Sequence, residues 1–161
     1  MEEISRRSAL TLGVAAAAAP LFTSFAQPAL GQSMHVIIIP SELKWAPAPA
    51  FQPGAQSAPI EGPLNEAVPF TIRLKFPANF KIAAHWHPAI EHLTIISGTF
   101  NLGMGDVLDA AKTTAMPAGS VAIMQPKTNH FAWTSEETIV QVHGVGPWAV
   151  NYVNPADDPR K

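Results

Sequence analysis

The chain has 161 residues, a formal net charge of −2, 47% hydrophobic residues and no cysteine. Near neutrality with scattered charges offers no basic surface for nucleic acid, and the missing cysteines exclude disulfides, thiolate metal ligands and a cysteine nucleophile. Sixteen prolines and ten glycines in so short a chain favour many turns and short strands over long helices.

Residues 1–31 read as an export segment. Arg6 and Arg7 stand at the head of an apolar run from Ala9 to Phe22, and the pattern resembles a bacterial twin-arginine signal. The run is too short and too alanine-rich for a membrane span, so no stable membrane insertion is expected once it is removed. Cleavage after Ala26 or Gly31 would start the mature chain near Gln27 or Gln32. The alternative is an amphipathic helix of the folded protein. The expected location is outside the cytoplasm, periplasmic or secreted, by a route that resembles one for proteins folded around a cofactor.

The remainder reads as one all-β domain: an N-terminal strand and arm over 32–69, a barrel over 70–154 and a tail over 155–161. His35 to Ile39 is a short apolar strand ended by Pro40. Leu43 to Gly62 is rich in proline and alanine, an extended arm over the surface or a linker, with Trp45 and Phe51 arguing for packing. From Phe70 to Phe76 the alternation is clean: Phe70, Ile72, Leu74 and Phe76 face one way, Thr71, Arg73 and Lys75 the other. Further strands follow over Lys81–His87, Leu93–Ile96, Thr99–Met104, Ser120–Met124, Asn129–Thr134, Thr138–Val145 and Trp148–Val153, with a helical turn in Asp106–Lys112. Turn residues separate nearly all of them, as in a sandwich or barrel.

The chemistry concentrates in His85-Trp86-His87-Pro88-Ala89-Ile90-Glu91. Two histidines one residue apart on a strand project to the same face, and Glu91 returns a carboxylate after Pro88 breaks the ladder. Two imidazoles and a carboxylate make most of a coordination shell for a divalent transition metal. The alternative is a pair of surface histidines beside a solvated glutamate.

These residues resemble the cupins. The first cupin motif runs glycine, five residues, His-x-His, three or four residues, glutamate, six residues, glycine; His85, His87, Glu91 and Gly98 fall on it in register. Asn79 replaces the opening glycine, and asparagine is the side chain best able to take a positive φ in its place. In the second motif Gly119 and His130 match in spacing, while Gln125, Lys127 and Thr134 stand where proline, glycine and asparagine would. The tail resembles that of small exported single-domain, type-2-like cupins.

The resemblance implies a double-stranded β-helix, or jelly-roll barrel, in which His85, His87, Glu91 and His130 hold one divalent transition metal. Iron, manganese, zinc, nickel and copper all suit these ligands. Such a set leaves positions on an octahedral ion for water, dioxygen or a chelating substrate. The resemblance also implies a homodimer.

His92 should point to the face opposite Glu91. His143 and Gln141 share a face of their strand, either lining the pocket as catalytic polar groups or forming a solvated outer surface; Lys127 is the third polar candidate. Met104, Met116 and Met124 suit core filling, as do Phe131 and Trp133, which face away from His130. One function is a metal-dependent enzyme acting on a small oxygen-rich molecule, with dioxygenase-, decarboxylase- or isomerase-like chemistry and an oxidoreductase in the first case. A second is a metal-dependent protein that binds such a molecule without transforming it. A third is a purely structural role.

Overall fold

Alternating burial divides the chain into short strands whose apolar faces close on one another. The computed structural model describes residues 35–161; the export segment expected at 1–31 lies outside them. Among the described residues, no helix is long and apolar enough to cross a membrane. Ile37–Lys161 form one unit of eleven strands: β1 (Ala46–Pro47), β2 (Gln56–Glu61), β3 (Pro69–Phe76), β4 (Lys81–Trp86), β5 (Glu91–Ser97), β6 (Thr99–Met104), β7 (Thr114–Pro117), β8 (Val121–Met124), β9 (His130–Thr134), β10 (Thr138–Val145) and β11 (Asn151–Tyr152). They make a six-stranded sheet, β1-β2-β3-β10-β5-β8, and a five-stranded one, β11-β4-β9-β6-β7, with every pairing antiparallel.

The β3 alternation appears as expected: Phe70, Ile72, Leu74 and Phe76 are buried and their neighbours are not. Its partner β10 buries Val140 and Val142 completely. Each such side chain contributes about 1.5–3 kcal/mol by leaving water. Thr134 and Thr138 are also fully buried, and their hydroxyls donate to the carbonyls of Pro77 at 2.7 Å and Thr99 at 3.2 Å. Met116 and Met124 fill the core, but Met104 is exposed.

Several expectations need correction. His35 to Ile39 is no strand; Val36 to Ile39 are exposed and pair with nothing in either sheet. A β-branched run makes a strand only where an edge offers it hydrogen bonds. The proline-rich arm is part of the barrel. It supplies β1 and β2, Pro59 is tolerated beside a register shift in β2, and Phe51 enters the core. Strand β7 was hidden in a Thr-Ala-Met-Pro stretch with no clear alternation. Phe131 is buried as expected, whereas Trp133 is only half-buried and its indole donates to Thr113 Oγ1 at 3.2 Å. The expected helical turn shrinks to a 3-10 turn at Ala110–Lys112.

Two motif positions explain themselves through the backbone. Asn79 has φ 57° and Lys127 φ 62°, so both non-glycine residues adopt the left-handed conformation a glycine would take. Gly98 has φ +74°, and an added Cβ would lie 2.5 Å from the Glu137 carbonyl oxygen. Gly98→Ala is expected to cost at least about 1–3 kcal/mol, and Lys127→Gly to stabilise by about 1 kcal/mol, both read from denaturant unfolding midpoints.

Candidate metal centre

The histidines converge because three strand ends meet. His85 lies near the end of β4 and His87 one residue beyond it, while His130 opens β9 and pairs directly with His85. Glu91 opens β5, on the inward side of its strand. All four are buried. The rings of His85 and His130 lie 4.3 Å apart, and that of His87 is 5.0 and 5.1 Å from them.

Each ring is oriented by a backbone carbonyl on its outer nitrogen. Nδ1 of His85 meets the Ala83 oxygen at 2.8 Å, Nδ1 of His87 that of Ala149 at 2.8 Å, and Nδ1 of His130 that of Thr128 at 2.9 Å. A carbonyl can only accept, so each Nδ1 carries a proton and each ring turns its Nε2 inward. One ring nitrogen from each histidine lies within 4.8 Å of the others. Glu91 Oε2 stands 3.4 Å from His87 Nε2 and 3.7 Å from His130 Nε2.

Burial, then the neighbouring His130 and His87, hold the His85 imidazole well below the usual histidine range. Burial also lowers His130, against the pull of the Glu91 carboxylate. Both therefore remain neutral at neutral pH. His87 Nε2 is buried with no hydrogen-bond partner. Bare nitrogens facing a carboxylate oxygen in a closed space want a cation between them. The donor set of imidazole nitrogen and carboxylate oxygen without thiolate fits a divalent transition metal, and the three histidines are positioned to hold one.

The remaining lining is apolar. Phe51, Leu74, Met124, Val140, Val142 and Trp148 are among the residues that close a cavity of about 20 Å³ beside the histidines. Sequence reasoning missed Phe51 and Trp148 as parts of the site. The Trp148 ring stacks on His87 at 4.4 Å and 18°, and its indole N–H, the one polar group of the lining outside His85, His87, Glu91 and His130, is buried without a partner. Neither residue sits in a motif; both reach the site from turns.

The other polar candidates lie elsewhere. Val140 and Val142 face the cavity, so Gln141 and His143 face outward by strand alternation. Gln141 accepts from Arg73 Nε at 3.2 Å, and exposed His143 stacks on the His92 ring at 4.8 Å. Lys127 is exposed as well.

No family model matches the sequence, and no curated protein matches it either. Solved structures do match. The polyketide cyclase RemF from Streptomyces resistomycificus aligns over 79% of this chain and 91% of its own, at 15% identity and a TM-score of 0.63. An RmlC-like cupin from Shewanella frigidimarina aligns over 68% and 88%, at 12% identity and a TM-score of 0.54. Salicylate 1,2-dioxygenase from Pseudoaminobacter salicylatoxidans aligns over 62% of this chain and 29% of its own, at 10% identity and a TM-score of 0.51. The fold is thus the double-stranded β-helix of the cupins.

A pH dependence follows from the two depressed histidines. Below their ordinary value of 6.5 the unfolded chain takes up protons that buried His85 and His130 refuse. The unfolded state then binds more protons, so stability falls as pH falls; above 6.5 both states are neutral and these groups contribute nothing. The thermal midpoint of metal-free protein is expected to drop between about pH 7 and pH 5, and to drop less in the His85→Leu, His130→Leu double variant.

Proposed function

We propose that this chain is an exported metal-binding cupin whose open centre of His85, His87, Glu91 and His130 engages a small oxygen-rich molecule. The observation that carries the reading is the buried convergence of three imidazole nitrogens, with the Glu91 carboxylate beside those of His87 and His130. A bound divalent metal supplies Lewis-acid polarisation there, or redox chemistry if it is iron, manganese or copper. The chain's own residues orient and exclude. The carbonyls of Ala83, Ala149 and Thr128 fix the rings, the apolar lining keeps bulk water out, and the Trp148 indole is left with a hydrogen bond to give. That a dioxygenase and a polyketide cyclase share the fold supports an oxygen-rich ligand.

A second reading has its own support. Gln141, His143 and Lys127 all lie outside the cavity, so among the described residues no side chain of the lining beyond the four centre residues is placed to move a proton. That favours a protein that binds its ligand through the metal without transforming it. The Arg6-Arg7 pair supports twin-arginine export, which would let the metal load in the cytoplasm before transfer.

The test is elemental analysis of natively exported protein, then an oxygen-uptake and ligand-binding screen over small diols, dicarboxylates and catechols. His87→Ala is expected to lower metal content from about one per chain by at least tenfold while far-UV circular dichroism stays β-type; unchanged stoichiometry would remove the reading. Arg6→Lys with Arg7→Lys is expected to leave the protein in the cytoplasmic fraction.

A further inference from the structure

The cavity beside the histidines, at about 20 Å³, has room for an ion with about one water. A ligand of several atoms enters only if a wall yields. Leu74, Val140 and Val142 belong to central strands held on both sides by ladders, so those walls are fixed. Phe51 is different. It comes from the turn between β1 and β2, outside any ladder, yet its ring is buried and lines the cavity.

That turn lies on the seam between the sheets. β1 ends one sheet and β11 ends the other. The Phe51 ring meets Phe76 of the larger sheet edge-on at 5.3 Å and His85 of the smaller sheet at 6.5 Å. Within the turn, the Ala48 and Phe51 amides donate to the carbonyls of Ala55 and Ala48 at 3.0 Å, making a self-contained unit. Two side-chain hydrogen bonds fasten it to the smaller sheet's side. The Tyr152 hydroxyl donates to the Ala50 carbonyl at 2.8 Å, and exposed Gln52 donates to that of Asp157 at 3.3 Å. Burial pushes the Tyr152 phenol up to about 12, so it stays a donor. On its outer side the turn borders an open groove lined by Pro53, Pro159 and Arg160 among others, which leaves it space to swing outward.

We propose that Phe51 is the movable side wall of the metal centre, latched by the Tyr152–Ala50 hydrogen bond, and that small molecules reach the histidines through this seam. The role of the admitted ligand rests on the function proposed above; the route itself does not.

Route and metal can be tested apart. Metal-free full-length protein is treated with diethyl pyrocarbonate, which acylates the free Nε2 of neutral histidine, and each histidine is followed by peptide mass spectrometry with exposed His143 as internal reference. Phe51→Ala is expected to speed His85 modification at least about tenfold, because opening no longer moves a phenyl ring into water. Tyr152→Phe removes one hydrogen bond and is expected to speed it about fivefold. Phe80→Ala is the control: Phe80 is equally buried and lies 5.4 Å from Phe76, but does not line the cavity. His85 should respond more than His87, which lies behind Trp148. An unchanged His85 rate in Phe51→Ala and Tyr152→Phe overturns the proposal, and so does an equal rise in Phe80→Ala, which would signify general loosening. If Phe51→Ala does not fold, Phe51→Leu with Tyr152→Phe decides in the same way. A seam that opens while His87→Ala leaves metal content unchanged would sink the metal reading and spare the route.

Discussion

Three backbone carbonyls decide what this barrel can do. By accepting the Nδ1 protons of His85, His87 and His130, they turn three Nε2 atoms toward one another, two of them facing a buried carboxylate. Such electron-rich atoms, in a cavity with room for about one water, repel one another unless positive charge sits among them. Both depressed histidine pKa values oppose using protons for that purpose. The site is therefore organised for a cation before any cation arrives, and the jelly roll serves to bring the ends of β4, β5 and β9 to that point.

The remaining interior is almost wholly apolar, and this narrows the chemistry. Alternation along β10 puts Val140 and Val142 inside and leaves Gln141 and His143 in the outer face, where they meet Arg73 and His92. A reaction at this centre would draw its polarity from the ion, from Glu91 and from the Trp148 indole. Apolar walls strengthen each of these interactions by excluding water, and they also limit what can enter.

The parts of this arrangement differ in how plainly they were written in the chain. The β3 alternation, the His-x-His pair and the spacing to Glu91, Gly98 and His130 depend on local periodicity, so they were legible. Asn79 was legible because the backbone demand of a turn can be read from residue type. Lys127 was not, since lysine carries no sign that its φ is positive. The inward or outward facing of His143 could not be read, because a strand's parity relative to the core depends on pairing with distant partners. Phe51 and Trp148 were missed as parts of the site for the same reason: each is placed by a connecting segment docking onto strands far along the chain. The run from Val36 to Ile39 misled because composition was strand-like and no edge received it.

The carbonyl that sets His87 belongs to Ala149, 62 residues further along the chain. An emerging polypeptide already carries all four candidate ligands well before that carbonyl has been synthesised. Until it docks, the imidazole is free to choose the other tautomer and turn away. The orientation of His87 is thereby deferred until the Ala149 segment docks, so a chain cut before that residue lacks the means to present this ring in its finished geometry.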